Sequence, residues 1–253
     1  KKVEVVELTG AAGEAVAIVP RYQGRVMTSA FDAKLGAGLG WVNHEVIEKD
    51  QIQPHITVFG GEDRFWIGPE GGQFSVFFKE GDEQNLDAWQ APPLIDSEPF
   101  EVASKSKTEA VFTKSASIKN YSGTVFEVGI KRTVTLLEKA AVEKALGSSL
   151  PEGVKVVAYE TRNALANEGK APWEKETGLL SVWILGMFKH TPTTNVIVPI
   201  SGGDQKGTVY TDDYFGKVPA DRLQLKEGFL LFKADGMFRS KIGLPHYSAR
   251  GVL

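Results

Sequence analysis

The alternation of apolar and polar residues between Thr124 and Leu137 is the feature that most constrains the fold. The positions of one parity are apolar apart from a single arginine, and they are Phe126, Val128, Ile130, Arg132, Val134 and Leu136. Lysine, glutamate and threonine fill most of the other parity. Since successive side chains of a β-strand point to opposite faces, this pattern predicts one long strand with a buried and a solvent-facing side. Such a strand is typical of an antiparallel sheet.

Turns that contain glycine or proline separate further strand-like runs along the chain. The predicted strands lie at residues 73–79, 100–103, 109–115, 154–165, 179–188, 195–200, 208–210, 229–233 and 237–242. The run at 179–188 is so strongly apolar that we expect it to be buried on both faces. Residues 138–146 form the one convincing helical stretch, because Ala, Glu and Lys dominate it and Gly147 follows.

The chain of 253 residues shows no linker, no shift in composition and no internal repeat. We therefore predict an all-β fold in which residues 1–253 form a single β-sandwich domain with one short helix near 138–146. Residues 247–253 resemble the start of a strand with no closing element after it. On this ground we expect that the chain stops before its domain does.

Composition and motifs exclude several classes of protein. The net charge of −3 and the lack of a Lys/Arg cluster argue against nucleic-acid binding. No apolar run reaches the roughly 18 residues that a membrane span needs. The chain has no cysteine, no GxSxG serine and no pair among its 4 histidines at metal-binding spacing. We therefore expect no thiolate chemistry, no serine hydrolase, no metal site and no cofactor. Nothing in the sequence indicates an oligomeric state.

The densest candidate for a ligand site is the stretch from Gly60 to Gly72, which reads GGEDRFWIGPEGG. Two glycine pairs enclose charged residues and a tryptophan, namely Glu62, Asp63, Arg64, Trp66 and Glu70. Glycine pairs permit backbone conformations closed to other residues, and charges beside an indole at such a place are typical of a ligand-facing turn. The alternative is a surface turn with solvated charges and a buried Trp66. His55 is a further candidate because it enters the run that leads into this stretch.

Aromatic residues give a second indication of a binding site. Tryptophans that adjoin glycine, proline or charged residues are Trp66, Trp89, Trp173 and Trp183. Sugar-binding clefts place exposed indoles against the C–H faces of the ring, and we expect one or two of these residues to line such a cleft. Glu160 and Arg162 share one strand face, where they either line a cleft or form an ion pair at an edge. Lys241 is a candidate for the rim of the cleft, with a solvated strand end as the alternative.

Three stretches carry a resemblance to a known family. They are Tyr22-Gln23-Gly24-Arg25-Val26, Asp63-Arg64-Phe65-Trp66 with Gly68-Pro69-Glu70, and Asn167 to Trp173 followed by Ser181-Val182-Trp183. In this order they resemble the galactose-mutarotase-like superfamily of aldose 1-epimerases, and in particular an uncharacterised bacterial branch of it with many exported or lipid-anchored members. The resemblance implies a large antiparallel β-supersandwich that holds a sugar on its concave sheet, with Arg64 gripping the substrate.

The chain departs from the mutarotase pattern at the acid and the base. The strand that supplies a histidine acid in mutarotases reads Val182-Trp183-Ile184-Leu185 here, and the glutamate base near the C-terminus has no convincing counterpart. His55 and Glu70 are the remaining candidates for catalysis if the protein is an aldose 1-epimerase-like isomerase.

The function expected from the resemblance is binding or modification of carbohydrate. The residues expected to bind the sugar are Arg64, Trp66, Trp183, Glu160 and Lys241. The alternative is a non-catalytic glycan-binding or scaffold protein of the cell envelope. Under both hypotheses the partner is a sugar or glycan, and the expected location is the periplasm or cell envelope, reached through an N-terminal segment that has been removed.

Overall fold

The computed structural model describes residues 3–201 and 208–248. These residues form twelve strands, all paired antiparallel in four sheets, and three short α-helices. The all-β fold class predicted from the sequence is therefore confirmed. The chain divides into two compact units, one ending at Phe188 and one beginning at Lys189. No described sheet contains strands of both units, and each unit has a hydrophobic core. A single domain over residues 1–253 stays a prediction.

The first unit contains three sheets. Its strands are β1 (Val6–Thr9), β2 (Ala15–Val19), β3 (Arg25–Ala30), β4 (Arg64–Gly68), β5 (Glu101–Lys105), β6 (Glu109–Lys119), β7 (Val125–Leu136), β8 (Tyr159–Asn167) and β9 (Ser181–Leu185). Its helices are α1 (His44–Lys49), α2 (Pro93–Asp96) and α3 (Lys139–Leu146). Strands β1 to β3 form one sheet, β5 to β8 form a larger sheet in chain order, and β4 pairs with β9.

Strand β7 is the long alternating strand that the sequence predicts. Every residue of its apolar parity is buried, and so is Arg132 among them. The strand pairs with β6 on one side and β8 on the other, and the predicted strands at 100–103, 109–115 and 154–165 correspond to β5, β6 and β8. Leu8, Val16 and Ile18 of the first sheet join the same hydrophobic core. The two sheets thus enclose one core, as the sheets of a β-sandwich do.

The predicted helix near 138–146 is also confirmed as α3. It ends at Gly147, whose φ of 67° lies in the left-handed region. Glycine occupies this conformation without the steric cost that a Cβ brings, and it is the usual residue at such a helix end.

The stretch from residue 60 to 72 is not the turn that the sequence suggested. Its centre is strand β4, and all five residues of β4 are buried. Phe65 and Ile67 occupy one face of the strand, whereas Arg64 and Trp66 occupy the other. Because both faces are covered, the alternation that marks a half-buried strand is missing from the sequence here.

Residues 73–79 are not the predicted strand either. The hydroxyl of Ser75 donates to the backbone carbonyl of Glu70 (2.7 Å) and accepts from the backbone N–H of Phe77 (3.1 Å). Local hydrogen bonds of this kind compete with those of a strand ladder. Val76 and Phe77 are nevertheless buried in the core.

The prediction that residues 179–188 are buried on both faces is wrong. The strand within this range, β9, pairs with β4 along one edge, and no strand in the described ranges pairs with its other edge. Val182, Trp183 and Ile184 are exposed, so side chains on both faces of β9 reach solvent. The apolar residues of β9 therefore form a surface and not a core.

The second unit contains one described sheet. Its strands are β10 (Asn195–Pro199), β11 (Leu223–Lys226) and β12 (Phe229–Lys233), in the order β10–β12–β11. They cover a small core that includes Val218, Leu223 and Leu230. The strands predicted at 195–200 and 229–233 are thus confirmed.

Two other strands predicted in this unit, at 208–210 and 237–242, are not strands in the structure. At the second of them the carboxylate of Asp235 accepts a hydrogen bond from the backbone N–H of Met237 (3.0 Å), which sets a turn instead. Of the strand predicted to begin at residue 247, residues 249–253 lie outside the described ranges, and Tyr247 and Ser248 lie in a turn.

Candidate functional site

Glu62 connects the first sheet to the larger one. Its carboxylate accepts hydrogen bonds from the backbone N–H (2.6 Å) and the hydroxyl (3.1 Å) of Ser29 on β3, and from the hydroxyl of Tyr159 on β8 (3.2 Å). Burial raises the pKa of Tyr159, and the charges of Glu62 and Asp63 raise it further. The phenol therefore stays protonated and keeps donating to Glu62.

Asp63 explains why an arginine lies on the buried face of β7. Its carboxylate forms an ion pair with Arg132 and accepts from the hydroxyl of Thr161 (3.1 Å). The remaining donors of Arg132 reach the backbone carbonyl of Gly24 (2.9 Å) and the side-chain oxygen of Asn163 (2.7 Å). An ion pair and hydrogen bonds of this kind offset the cost of burying a guanidinium.

Arg64, the predicted sugar-gripping residue, is enclosed in the structure. It is 2% exposed, and its Nη2 donates to the backbone carbonyl of Ile95 (2.7 Å) and to Asp96 of α2 (3.0 Å). Burial lowers the pKa of Arg64, while the charge and hydrogen bond of Asp96 oppose that effect. Asp96 is held in turn by the backbone N–H and hydroxyl of Thr57, both at 2.8 Å. The guanidinium carbon lies 4.4 Å from the ring centroid of Trp66, against which the group packs.

A third arginine, Arg25, is buried beside these two. It donates to the backbone carbonyl of Gly60 and to the side-chain oxygen of Gln23, each at 3.0 Å. Burial, and next the charge of Arg64, lower the pKa of Arg25 well below its usual value. We call the six charged residues the buried polar layer, and they are Arg25, Arg64, Arg132, Glu62, Asp63 and Asp96. Three positive and three negative charges cancel within this layer.

The part of the β4–β9 ladder that carries Trp183 is open to solvent. The register pairs Trp66 with Trp183, so the two indoles lie on the same face as Arg64. Their ring centroids are 5.8 Å apart in an edge-to-face arrangement, and Trp183 is 41% exposed whereas Trp66 is 2% exposed. The indole N–H of Trp66 donates to the carboxylate of Glu70 (2.6 Å), which is itself exposed. The exposed indole of Trp183 and the exposed carboxylate of Glu70 therefore both lie beside the buried indole of Trp66.

Gly68 permits the close approach of the two strands at this surface. It pairs with Ser181, and a Cβ added to Gly68 would lie 2.8 Å from the hydroxyl oxygen of Ser181. That distance is shorter than a van der Waals contact, so a larger residue would push the strands apart. Ser181 adds a hydroxyl to the face that carries Trp183.

A row of aromatic rings runs inward from Trp183. The successive centroid distances are 5.8 Å from Trp183 to Trp66, 5.6 Å from Trp66 to Phe77 and 5.1 Å from Phe77 to Trp89. His55 lies at the far end, where its Nδ1 is 2.7 Å from the backbone carbonyl of Trp89. Since a carbonyl oxygen only accepts, Nδ1 carries a proton there, and Nε2 is the ring nitrogen left for other contacts.

Glu160 lies apart from this surface, and Lys241 is not in the same unit of the chain. Glu160 is on the outer face of β8, where it forms an ion pair with Arg162, as the shared strand face suggested. The pair lies at a polar depression of about 550 Å³ that Lys131 and Thr133 also line. Lys241 belongs to the second unit, and its ammonium lies 4.2 Å from the ring centroid of Tyr214. Of the seven predicted residues, the structure therefore brings together Arg64, Trp66, Glu70 and Trp183.

Sequence reasoning missed the partners of the buried polar layer, of which Asp96 holds Arg64. Arg132 on an apolar strand face is a signal that a buried acid must exist, but the sequence does not show that the acid is Asp63. Asp96 and Tyr159 carry no such signal, because each is distant in sequence from its partner. Within the described ranges no group of three or more His, Asp or Glu residues is placed to hold a metal ion. No helix in the described part of the chain is long and apolar enough to cross a membrane.

One protein family has a model that matches residues 1–253, which is the whole chain. The chain belongs to the family of unknown function DUF6786. Comparison with curated proteins and comparison with solved structures gave no match. Membership of DUF6786 thus leaves the function to be inferred from the site itself.

Proposed function

We propose that this chain binds or modifies carbohydrate, with a sugar ring packed against Trp183 and hydrogen-bonded to Glu70. The observation that carries the proposal is the exposed indole beside an exposed carboxylate on one face of the β4–β9 ladder. The C–H face of a pyranose is apolar and packs on an indole, while a carboxylate accepts hydrogen bonds from sugar hydroxyls. The hydroxyl of Ser181 adds a further polar group on the same face.

The proposal gives Arg64 an indirect role. Its guanidinium is buried and bound to Asp96, so it acts on the sugar through Trp66, whose ring it supports from below. Trp66 in turn supports Trp183 and orients Glu70. Interactions that are fixed before the ligand arrives cost less entropy on binding, which is the advantage of such a stacked arrangement.

The resemblance to galactose mutarotases supports the same ligand class, and it adds proton transfer at the anomeric carbon as the reaction to test. Glu70 would act as the base. His55, the other residue predicted for catalysis, lies at the far end of the aromatic row and is not part of this surface, so it is not proposed as the acid at the same carbon. The alternative, a glycan-binding protein without catalysis, is favoured by a specific observation. Both groups already form hydrogen bonds within the protein, Glu70 with Trp66 and His55 with the carbonyl of Trp89.

Titration of the protein with a panel of aldoses and oligosaccharides, followed by calorimetry, tests the proposal. Trp183→Ala is expected to weaken binding about tenfold, since it removes the main contact surface. Glu70→Gln keeps an acceptor for Trp66 and is expected to weaken binding by a similar factor through the lost charge. Val182→Ala is the matched control, because Val182 is the neighbouring exposed residue on the other face of β9.

Failure of every sugar to bind would overturn the proposal, and so would binding that Trp183→Ala leaves unchanged. Polarimetry of freshly dissolved aldoses decides between the two forms of the function. Faster mutarotation that Glu70→Gln abolishes would support the isomerase, whereas binding without turnover would support the glycan-binding protein.

The resemblance also supports a location in the periplasm or cell envelope. Fractionation of cells that express the complete gene tests this point, with a cytoplasmic enzyme as marker. Recovery of the protein with that marker would contradict the location.

A further inference from the structure

A cavity of about 560 Å³ lies within the first unit, between residues 76–80, the start of α2 and the end of β6. Phe77, Leu94 and Ile118 contribute to its lining and are themselves buried. Its volume lies within the roughly 300–1,000 Å³ that is usual for sites of small organic ligands. Neither Trp183 nor Glu70 lines this cavity, so it is distinct from the proposed sugar site.

The amide side chains that line the cavity are already satisfied. Gln90 donates to the backbone carbonyl of His55 and accepts from its N–H, both at 2.9 Å. Asn120 donates to the carbonyl of Thr177 and accepts from the N–H of Thr124, both at 2.9 Å. These amides therefore offer little to a polar ligand, and the lining that remains consists mainly of an apolar wall and charged residues.

The shape of the apolar wall suits a flat ligand. Rigid planar or cyclic side chains make up much of it, namely Phe77, Phe78, Pro92 and Pro93. Phe77 is fixed in turn by stacking on Trp89, with an interplanar angle of 20°. Aromatic rings pack favourably on such surfaces.

The charges around the cavity leave one ammonium group for a ligand. Two of the cations are already paired with acids, Lys119 with Glu80 (2.8 Å) and Lys114 with Glu98 (2.7 Å). Lys79 also lines the cavity, and no carboxylate in the described ranges forms an ion pair with its ammonium group. Asp82, the nearby acid, accepts from the backbone N–H of Lys79 (3.1 Å).

We propose that this cavity binds a small aromatic carboxylic acid, with the ring system between Phe77 and Ile118 and the carboxylate beside Lys79. The proposal does not depend on carbohydrate binding. The ligand needs an apolar body, because the lining amides are satisfied. It needs an anionic group, because no acid in the described ranges is paired with the ammonium group of Lys79.

Binding of 2-naphthoic acid and of its neutral amide, measured by calorimetry on the whole chain, tests both parts of the proposal. The acid is expected to bind about fivefold more tightly than the amide, which corresponds to one partly exposed ion pair. Lys79→Gln is expected to remove this preference. Ala116→Phe, which fills the cavity from β6, is expected to abolish binding of both probes.

Ala166→Phe is the control for a bulky residue on the same sheet, since Ala166 is an exposed residue of β8 outside the cavity lining. Ala88→Phe fills the cavity from a loop and serves if Ala116→Phe fails to fold, as judged by circular dichroism. Absence of saturable binding, or binding that survives both cavity-filling variants, overturns the proposal. Equal affinity for acid and amide overturns the assignment of a carboxylic acid.

Discussion

The segment 62–64 and the strand β9 show opposite relations between residue type and position. Glu62, Asp63 and Arg64 are three charged residues in a row. Glu62 and Arg64 are buried, and the side chain of Asp63 is only 13% exposed. Strand β9 reads Ser-Val-Trp-Ile-Leu, and most of it is exposed. The two are neighbours, since Arg64 begins the strand that pairs with β9. Burial here is thus determined by available hydrogen-bond and charge partners and by strand pairing, and hydrophobicity alone does not predict it.

The largest effect is expected from removing one partner inside the buried polar layer. Asp96→Ala leaves Arg64 without its counter-charge and Thr57 without its acceptor. Such an uncompensated buried charge costs about 3–5 kcal/mol. Urea unfolding followed by circular dichroism measures the loss. The double variant Arg64→Met with Asp96→Leu is the control and should recover much of the stability, and a small effect of Asp96→Ala would show that water reaches Arg64.

A matched pair of substitutions in the β4–β9 ladder compares a buried with an exposed position. Ile67 and Val182 are directly opposite each other in the register, and Ile67 is fully buried. Ile67→Thr buries a hydroxyl and is expected to cost about 1–3 kcal/mol. Val182→Thr is expected to change stability by no more than about 0.5 kcal/mol, as exposed substitutions usually do. Equal losses in urea unfolding would mean that β9 is covered in solution.

Alkaline pH is expected to lower the free energy of unfolding through the titration of Tyr159. The pKa of Tyr159 is raised above its usual 10.0 by burial and by Glu62 and Asp63. Above pH 10 the unfolded chain therefore loses a proton that the folded chain retains. Stability is fully present below pH 10 and falls above it, by about 1.4 kcal/mol per pH unit for one proton.

Urea midpoints measured between pH 8 and pH 11 check this expectation. The free energy of unfolding should fall less steeply with pH above pH 10 in Tyr159→Phe than in the wild-type chain. A slope that is the same in both proteins would assign the effect to other groups, of which Tyr22 is one because burial raises its pKa too.

The smallest effect is expected at the exposed ion pair of β8. Glu160→Gln removes the partner of Arg162, and both side chains are largely in solvent. Exposed pairs contribute about 0–1 kcal/mol, and added salt screens them. Urea unfolding at low and high salt measures this contribution. A loss comparable to that of Asp96→Ala would contradict the distinction between buried and exposed charge.

The local sequence pattern correctly predicted elements whose own residues carry a clear signal. Strand β7 and helix α3 were predicted within one or two residues, because alternation and helix-ending glycine are local signals. The segment at 73–79 was misread because local hydrogen bonds of Ser75 replace a strand ladder. The segments at 64–68 and 179–188 were misread for another reason. Their structure depends on partners elsewhere in the chain, such as Asp96 for Arg64 and β4 for β9.

The candidate site was predictable in part for the same reason. Residue type and the resemblance to galactose mutarotases singled out Arg64, Trp66, Glu70 and Trp183, and the structure brings them together. They could not reveal that Arg64 faces inward, because that orientation depends on Asp96, which lies 32 residues away. Glu160 and Lys241 were chosen by reasoning from residue type. The register of β8 places Glu160 on the outer face of the large sheet, and Lys241 belongs to the second unit.

The cancellation of charge in the buried polar layer also restricts how the sequence can change. Any single neutral replacement among Arg25, Arg64, Arg132, Glu62, Asp63 and Asp96 leaves a net charge in the interior, whereas removal of one arginine together with one acid does not. Related chains that lose one of these residues should therefore have lost a residue of opposite sign as well. In this layer, an arginine and an acid can therefore be replaced together but not singly.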